Sequence, residues 1–537
     1  MARTPLFRAL ERSLRLARLE LAAGRPAAEL AGEAAARPPR PPRPPSPLTR
    51  RAFVRSAAAA AAGAGLTGCR TLAPPGGGAP EVVIVGAGIA GLTAAYRLAR
   101  AGVAVRVLEA QERVGGRMYS LRGRFPDRQV VELGGELIDT GHRRIRALAG
   151  ELEIPLDDLH AGDRGLAETV WHFDGRRISD AEVVAAFRPV AEKIAADLAA
   201  LPAGAAASYR EPNGAEALDR TSLAEWLERS GCERWLCRLL EVGYTTEYGL
   251  EPDRQSALNL LFLIDPEPDP FRIYGDSDER FHVRGGNDCI TAELAARLGD
   301  GAIATGVRLE AVRERADGAF ECSVRRGGIS TTVVAPRLVL AIPFTVLREV
   351  RLDVELPAVQ RRAIAELGYG TNAKLIIGFD ARPWRSEHRS NGAVLTDLPF
   401  QSTWETSREQ PGAAGILTNF TGGAHGLALG RGGAAEQAAR LVADLERVFP
   451  GLGAARNGAQ ARFHWPSQPF ARGSYACYLP GQWTTIAGAQ GERAGNLHFA
   501  GEHTALDGQG YMEGGCESGE RVAEEILADL GRGRVAA

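Results

Sequence analysis

A glycine-rich hexapeptide, Gly86-Ala87-Gly88-Ile89-Ala90-Gly91, has the GxGxxG spacing that can hold a dinucleotide. The spacing alone is weak, because a chain with 64 glycines among 537 residues contains about one such match by chance. Its context is more specific, since it follows the apolar run EVVIV and precedes an Ala/Leu-rich segment and the acidic Glu109. Gly86, Gly88 and Gly91 let the backbone approach a pyrophosphate, a helix start offers N–H groups to it, and Glu109 can accept from ribose hydroxyls. We therefore predict a dinucleotide site here.

Lys374 is the second candidate for chemistry. The chain has only two lysines, Lys193 and Lys374, against 62 arginines, so an exposed base in this sequence is almost always arginine. Lys374 lies in the apolar, strand-like segment TNAKLIIGF. A lysine in such a segment is either a solvated edge-strand residue or a buried amine that takes part in proton transfer. Its rarity in this chain favours the second interpretation.

The elements that must position these residues begin with a βαβ pattern at Glu81: an apolar strand, the glycine turn, a helix to about Arg100 and the strand VAVRVLE. Residues 146–270 are predicted to be mostly helical, with amphipathic stretches near 181–200 and 221–243. Strand-like segments are predicted at 303–313, 319–325, 331–342 and 373–380. Residues 497–530 predict a short strand followed by a long helix.

Four further motifs accompany this pattern: RVGGR at 113–117, ELGGE at 132–136, FAGE at 499–502 and YMEGG at 511–515. Together with the hexapeptide they make the chain, from about Glu81 to Leu527, resemble the flavin-dependent amine oxidase family, the monoamine oxidase-like group. The resemblance implies FAD rather than NAD. It also implies an α/β fold, in which a Rossmann-like FAD-binding domain is interleaved with an α+β substrate domain.

The resemblance assigns cofactor contacts to four further residues of this chain. Arg117 is similar to the residue that faces the FAD phosphates, and Glu502 to the acidic residue on the ribityl–pyrophosphate side. The N–H groups around Met512 would face the pyrimidine ring of the flavin, where a helix start favours electron acceptance. Val307 resembles the position whose backbone holds the adenine.

The resemblance also assigns three catalytic residues, Lys374, Tyr475 and Tyr511. Lys374 would hold a water near flavin N5, and the two tyrosines would form an aromatic cage that steers the amine towards N5. The implied reaction oxidises a small primary or secondary amine to an imine, which hydrolyses to an aldehyde or ketone and ammonia. O₂ would reoxidise the flavin and yield H₂O₂.

The chain departs from the family pattern at two positions. Ser474 stands where mitochondrial monoamine oxidases have a cysteine bonded to the flavin, and Cys477 is out of register, so we predict FAD bound without a covalent bond. Amino-acid oxidases of the superfamily have an arginine after the second glycine pair, whereas this chain reads GGELID. An amine without a carboxylate is therefore expected. Glu136 in this stretch either faces the cavity and favours a second cationic group or hydrogen-bonds neighbouring backbone.

The predicted domain boundaries place the FAD-binding domain in three separate segments, with the substrate domain in the intervening ones. The assignments are an Arg/Pro-rich extension at 1–47, a signal segment at 48–69, a linker at 70–80, the FAD-binding domain at 81–145, 276–345 and 485–530, and the substrate domain at 146–275 and 346–484.

Export is predicted from the N-terminal region. Thr49-Arg50-Arg51-Ala52-Phe53, an Ala-rich stretch and Leu66-Thr67-Gly68-Cys69 resemble a twin-arginine signal closed by a lipoprotein box, with Cys69 as the lipidated residue. The alternative is an Ala-rich linker. The signal predicts a periplasmic or cell-envelope lipoprotein.

Composition excludes other classes. Without residues 1–55, which carry twelve of the arginines, the chain has a formal net charge of −10, so nucleic-acid binding is not expected. The seven cysteines form no CxxC pair or Cys/His metal spacing, so no metal site is predicted.

Three alternatives to an amine oxidase stay open: an amine dehydrogenase that passes electrons to a quinone or protein carrier, an L-amino-acid oxidase or flavin desaturase of the same fold, and a binding protein that keeps FAD structurally.

Overall fold

The structure is a computed structural model that describes residues 80–202 and 207–532. The predictions for 1–47, 48–69 and nearly all of the linker therefore lie outside the described residues. The described strands are β1 Val82–Val85, β2 Val105–Leu108, β3 Ser120–Leu121, β4 Val131–Glu132, β5 Leu156–Asp158, β6 Val170–Phe173, β7 Arg176–Ile178, β8 Phe281–Val283, β9 Ile303–Ala304, β10 Arg308–Glu314, β11 Phe320–Arg326, β12 Ile329–Ala335, β13 Arg337–Leu340, β14 Arg351–Asp353, β15 Ala373–Phe379, β16 Val394–Thr396, β17 Ser402–Glu405, β18 Gly415–Thr421, β19 Arg456–His464 and β20 Leu497–Phe499.

The described α-helices alternate with these strands in the first part of the chain and again near its end. They are α1 Ile89–Arg100, α2 Arg143–Glu151, α3 Asp180–Ala199, α4 Glu216–Arg220, α5 Leu223–Arg229, α6 Arg234–Tyr248, α7 Ala257–Leu261, α8 Asp288–Leu298, α9 Phe344–Leu347, α10 Ala358–Glu366, α11 Pro383–Ser386, α12 Gly423–Leu429, α13 Ala434–Leu445 and α14 Met512–Asp529. No helix in the described ranges combines the length and apolar character needed to span a bilayer.

A parallel sheet in the order β20-β13-β1-β2-β9 forms the centre of the cofactor-binding half. Its strands are short and almost entirely buried, as expected for parallel strands covered on both faces. They come from all three segments predicted for the FAD-binding domain. The predicted α/β class with a Rossmann-like unit is confirmed, whereas the individual boundaries stay predictions.

Helices α1 and α14 pack against each other beside this sheet, although they come from opposite ends of the described chain. Two glycines of α14 make the close approach possible. A Cβ on Gly519 would lie 2.4 Å from the Ala90 carbonyl oxygen, and one on Gly515 would lie 2.4 Å from a methyl group of Ile89. The amino ends of both helices consequently point to the same region.

A seven-stranded sheet in the order β19-β15-β18-β17-β16-β6-β7 forms the other half of the structure, together with the helices α3 to α7. β15 lies between β18 and β19, pairs antiparallel with both, and is buried along its whole length. Lys374 is therefore on an interior strand, and the edge-strand interpretation is wrong. A third sheet, β12-β11-β10-β14, is separate.

The sequence predictions for secondary structure hold for most segments. The strand-like segments between 303 and 380 are confirmed as β9 to β13 and β15, and the end of the chain is confirmed as β20 and α14. The mostly helical prediction for 146–270 is wrong over Leu156–Ile178, which forms β5, β6 and β7. β5 pairs with β8 and β6 pairs with β16, both more than a hundred residues away. β6 also pairs with β7 in a local hairpin around Asp174-Gly175, a turn signal that the helical prediction overlooked.

Candidate active site

A cavity of about 610 Å³ extends from the glycine turn after β1 to the seven-stranded sheet. Ten of the eleven residues predicted as site residues line it: Gly86, Gly88, Glu109, Arg117, Val307, Lys374, Tyr475, Glu502, Tyr511 and Met512. The exception is Gly91, which lies in the first turn of α1. A single cavity thus brings together residues that are more than 400 positions apart in the chain.

The glycine turn is shaped by close backbone packing. Gly86 has φ +106°, and a Cβ there would lie 2.5 Å from the Ala341 carbonyl oxygen. A Cβ on Gly91 would lie only 2.0 Å from the Gly86 carbonyl oxygen. The absence of a side chain at Gly91 therefore lets the first turn of α1 pack closely against the turn after β1, and Gly91 does not face the cavity. Gly88, directly before α1, provides no side-chain cap and lines the cavity, with Gly116 as its nearest neighbour. The first N–H groups of α1 are therefore available to a phosphate.

Glu109 follows β2 and is 6% exposed. Its carboxylate accepts from the backbone N–H of Ala87 at 2.7 Å and from that of Gln111 at 2.8 Å. Burial raises the pKa of Glu109, and these hydrogen bonds oppose the shift. Val307, whose N–H donates to the Glu109 carbonyl at 2.8 Å, lies beside it. The two residues predicted for the adenosine end are therefore neighbours.

A second helix start opens on the same cavity. α14 begins at Met512, Tyr511 precedes it, and no side chain caps its first turn. Met512 packs against Gly135, where a Cβ would lie 2.9 Å from the Met512 side chain. Two uncapped helix starts, α1 and α14, thus face one cavity, which fits a cofactor with a pyrophosphate at one end and an electron-accepting ring at the other. The residues present fit FAD.

Arg117 and Glu502 form an ion pair at 2.8 Å in the middle of the cavity wall. Arg117 also donates to the Ser474 carbonyl at 2.7 Å. Glu502 accepts from the N–H of Ala476 at 3.3 Å and from that of Gly510 at 2.9 Å. Those two N–H groups belong to the residues next to Tyr475 and Tyr511. The pair therefore holds both tyrosine segments in place.

The two tyrosines are also anchored by the carboxyl end of one helix, α6. The Tyr511 hydroxyl donates to the Glu247 carboxylate at 2.7 Å, and the Tyr475 hydroxyl donates to the Thr246 carbonyl at 3.3 Å. Burial raises the pKa of both phenols well above the ordinary value, so they stay neutral. Sequence reasoning missed Glu247, and the polar run Thr-Thr-Glu at the end of an amphipathic helix was the available signal.

Lys374 is 3% exposed and its ammonium has three protein acceptors. These are the Glu136 carboxylate at 2.7 Å and the carbonyls of Gly134 at 2.8 Å and Glu132 at 3.2 Å. All three N–H groups of the ammonium are thus engaged. That Lys374 also holds a water near the flavin stays a prediction.

Glu136 is the partner of Lys374, which neither interpretation of its sequence position anticipated. Besides Lys374, its carboxylate accepts from Trp404 Nε1 at 2.9 Å and from the Thr406 hydroxyl at 2.7 Å. Burial acts to raise the pKa of Glu136, but the Lys374 ammonium and these hydrogen bonds hold it below the ordinary value. The carboxylate is therefore ionised and fully occupied by side chains from other segments.

Further carboxyl groups line the cavity near the tyrosines. Asp139 accepts from the Ser277 hydroxyl at 3.0 Å and from the Glu279 N–H at 2.8 Å. Glu279 has φ +45°, an uncommon conformation for a residue with a side chain, and its carboxyl group borders the cavity. Desolvation within the cavity wall, followed by the nearby Asp139 charge, raises the pKa of Glu279 to about 8, although the side chain is accessible from the cavity itself. This wall is acidic, which no local sequence pattern indicated.

The position relevant to covalent flavin attachment is Ser474, which is 4% exposed. Its hydroxyl donates to the Asn372 side chain at 2.6 Å. Cys477 is fully buried, lies outside the cavity wall and contacts the Asn259 side chain instead. Neither residue presents a thiol to the cavity.

These features define a flavin-binding oxidoreductase, and the comparisons narrow the class. Residues 89–527 match the profile of the family described as Flavin containing amine oxidoreductase, so the chain belongs to this family. It is therefore an oxidoreductase that acts on amines and uses a flavin cofactor.

Two relatives and one solved structure illustrate the similarity. The chain is 26% identical to an L-amino acid dehydrogenase of Synechocystis sp., over 86% of this chain and 97% of the relative. It is 26% identical to Amine oxidase [flavin-containing] A of Bos taurus, over 84% of this chain and 86% of the relative. The structure of cyclohexylamine oxidase from Brevibacterium oxydans superimposes with a TM-score of 0.75 at 20% identity, covering 85% of this chain and all of the other, which shows a common fold.

Proposed function

We propose that the protein oxidises the carbon–nitrogen bond of a small primary or secondary amine that carries no carboxylate, using dissociable FAD and O₂. The observation that carries the proposal is the continuity of the cavity. It joins two uncapped helix starts, which fit FAD, to a wall that contains Lys374, Tyr475 and Tyr511. Bound FAD would supply the electron acceptor, taking two electrons from the amine carbon and passing them to O₂.

The charge of the cavity favours a cationic substrate. Asp139 and Glu247 line it near the tyrosines and attract a protonated amine, and Glu279 adds a further negative charge once it ionises near pH 8. Among the described residues, the arginines in the cavity wall are Arg113, Arg117 and Arg308. Each already has a partner: the Gly116 carbonyl for Arg113, Glu502 for Arg117 and Glu349 for Arg308. A free arginine that would clamp a substrate carboxylate is therefore not part of this wall.

The side chains have distinct tasks in this proposal. The Tyr475 and Tyr511 rings orient the amine and exclude water from the reacting carbon. The loss of two electrons and two protons converts the amine to an imine, and water then releases a carbonyl compound and ammonia. Reduction of O₂ with the same two electrons and two protons gives H₂O₂.

Anaerobic mixing of the holoprotein with paired compounds tests the substrate class. Each pair consists of an α-amino acid and the amine that its decarboxylation would give. We expect amines to bleach the flavin absorbance and their amino acids to react at least tenfold more slowly. Bleaching by the amino acids and not by the amines would reverse the assignment towards an amino-acid oxidoreductase.

Admission of air to the reduced protein then identifies the acceptor. Recovery of the yellow colour with release of one H₂O₂ per flavin is expected. If a quinone restores the colour and O₂ does not, the protein is a dehydrogenase. Acid precipitation of the holoprotein tests the mode of cofactor binding, and flavin that stays on the precipitate would contradict dissociable FAD.

Export to the periplasm or cell envelope, with lipidation at Cys69, is the second part of the proposal. The twin-arginine pattern supports it, because that route carries folded proteins and FAD must be bound before export. The Cys232–Cys237 disulfide also suits an oxidising compartment. Mass spectrometry of the mature N-terminus decides the question: a lipid-modified Cys69 is expected, and an intact N-terminus before Arg50 in the mature protein would contradict it.

A further inference from the structure

The strand β12, Ile329–Ala335, forms one edge of the sheet β12-β11-β10-β14. It pairs with β11 in an unbroken antiparallel register over all seven residues, and no other described strand lies beside its outer edge. Its side chains are mostly exposed, with Ile329 at 70% and Val334 at 45%. Within the described part of the chain, β12 therefore has a seven-residue edge whose backbone groups lack a neighbouring strand.

Other sheet edges carry features that hinder pairing with a further strand. The edge strands β7 and β14 are three residues long, and each contains arginine. β19 is longer, but its register against β15 is shifted, it contains two arginines, and Gly458 within it has φ +82°. The sequence of β12, ISTTVVA, has no charge, no proline and no glycine. Its edge therefore lacks the protection that these three strands have.

The turn between β11 and β12 shows which backbone groups of β12 point outward. Arg326 and Ile329 pair directly across the two-residue turn Gly327-Gly328, in which both glycines have positive φ. In such a hairpin the residues that flank the turn exchange both backbone hydrogen bonds, and the direction alternates along the strand. Ile329 and every second residue after it therefore bond to β11. The residues whose N–H and carbonyl groups point outward are Ser330, Thr332 and Val334.

We propose that β12 is a self-association surface, on which two copies of this chain pair antiparallel about a twofold axis at Thr332. In this register Thr332 opposes Thr332 of the second copy, and Ser330 opposes Val334 of the second copy. All three outward-pointing residues of each strand then meet outward-pointing residues, which gives two hydrogen bonds in each of three pairs. A shift by two residues would leave fewer pairs, so this register satisfies the edge best.

The charges of β12 and β11 suit this arrangement. Two identical strands carry identical charges, so a charged strand paired with its copy would place like charges close together. β12 has no charge, and its neighbour β11 has Arg325 and Arg326 at the turn end and Glu321 at the other end. The antiparallel arrangement brings the basic end of one copy towards the acidic end of the other. A parallel arrangement would bring like ends together.

The size of the contact predicts a weak dimer. A stable interface buries roughly 1,200–2,000 Å² in total, and a single pair of seven-residue strands supplies only part of such an area. Association is therefore expected to depend on protein concentration. β12 lies two strands away from β10, whose first residue, Arg308, lines the cavity. The proposal consequently does not depend on the proposed function, and loss of the dimer is expected to leave FAD bound.

Sedimentation of the full-chain holoprotein, purified from the cytosol so that it carries no lipid, tests the proposal. For the wild type we expect a single chain at about 1 μM and a two-chain species at about 100 μM. Thr332→Pro removes the outward N–H at the axis, and proline is tolerated on an edge strand that faces solvent, so this variant is expected to stay a single chain. Thr332→Val keeps the N–H, and we expect it to associate like the wild type. Flavin absorbance equal to the wild type shows that each variant is folded.

A crosslinking experiment tests the register. Thr332→Cys places two thiols at the axis, where paired residues have Cα atoms about 5.5 Å apart, within the range of a disulfide. Oxidation with diamide is expected to give a two-chain band on a non-reducing gel. Thr331→Cys is the matched control, because it opposes Val333 of the second copy. Its own counterpart is then about 7–8 Å away, too far for a disulfide.

A wild-type protein that stays a single chain at about 100 μM overturns the proposal and leaves this edge to a different protein or to another segment of this chain. Association that Thr332→Pro leaves unchanged overturns it as well, because the contact then lies elsewhere. Crosslinking of Thr331→Cys in place of Thr332→Cys overturns the proposed register.

Discussion

The two ends of the cavity are formed by different parts of the polypeptide, the backbone at one end and side chains at the other. The cofactor end consists mainly of backbone: glycines that allow close packing and the N–H groups at the starts of α1 and α14. The substrate end consists of side chains that long-range contacts hold together, such as Lys374 with Glu136 and Tyr511 with Glu247. A backbone site tolerates almost no added volume, whereas a side-chain site responds to changes of charge and hydrogen bonding. Substitutions at the cofactor end should therefore act through added volume, and those at the substrate end through lost charges or hydrogen bonds.

The largest effect is expected at the backbone end from Gly91→Ala. The added methyl group would lie 2.0 Å from the Gly86 carbonyl oxygen, so the turn after β1 must open. We expect loss of bound FAD and a decrease of about 1–3 kcal/mol in the free energy of unfolding. The flavin absorbance per protein and urea unfolding measure the two effects.

The matched control is Gly150→Ala. Gly150 is in α2, and a Cβ added there would meet no atom within 4 Å, so alanine is expected to be neutral or stabilising at this position. A Gly91→Ala protein with a full complement of FAD would show that the backbone end is less rigid than its packing indicates.

An intermediate effect is expected from Glu502→Ala, where the two ends meet. The substitution leaves Arg117 without its counter-charge and removes the acceptor for the N–H groups next to both tyrosines. We expect a loss of about 1.5 kcal/mol in the free energy of unfolding, below the usual cost of breaking a fully buried pair, since 25% of the Arg117 side chain is exposed. kcat should fall as well, because both tyrosine segments lose a support.

The control for this charge is Glu436→Ala, which breaks an ion pair with Arg440 on the exposed surface of α13. Its expected effect is at most about 0.5 kcal/mol, with kcat unchanged. Equal losses in the two variants would mean that Glu502 is an ordinary surface charge and does not connect the two ends.

The smallest effect is a pH dependence at the substrate end. Burial raises the pKa of Glu279 to about 8, so this carboxyl group is neutral below pH 8 and anionic above it. An amine substrate stays protonated over this range. KM is therefore expected to fall by about fivefold as the pH rises from 6 to 9, which corresponds to about 1 kcal/mol of added attraction.

Glu279→Gln should make KM independent of this ionisation, while Asp300→Asn, an exposed carboxylate outside the cavity, should behave as the wild type. Asp139, Glu247, Glu136 and Arg408 contribute to the charge around Glu279 in the wild type and in both variants, so the difference isolates Glu279. A pH profile that survives in Glu279→Gln would assign the effect to one of those neighbours.

The same contrast explains what the sequence could predict. One part of the cofactor end is encoded locally: the spacing of Gly86 and Gly88, the strand before them and Glu109 after the next strand are all within a short stretch of chain. The start of α14 at Met512 is more than 400 residues away and was predicted only from the family resemblance. The substrate end depends on contacts between residues that are far apart, such as the 238 positions between Glu136 and Lys374. Lys374 was noticeable because lysine is rare in this chain. Glu136 and Glu279 could not be singled out in this way, because glutamate is common in this chain.

The family resemblance predicted the two tyrosines as site residues but did not predict the residues that hold them in place. The positions of Tyr475 and Tyr511 followed from short motifs, whereas their anchors in α6 follow only from the folded chain. The strands β5 to β7 were predicted as helix. β5 and β6 have distant partners, whereas the β6–β7 hairpin, with Asp174-Gly175 between its strands, was a local signal that the prediction missed.

The packing of α1 against α14 has a consequence for the time at which the cofactor is acquired. α14 begins at Met512, more than 400 residues after the start of α1 at Ile89. A nascent chain therefore has only one of the two helix starts until those intervening residues have been made. We expect flavin capture to wait for the synthesis of α14, and a chain stopped before Met512 to remain colourless however much FAD the cell contains.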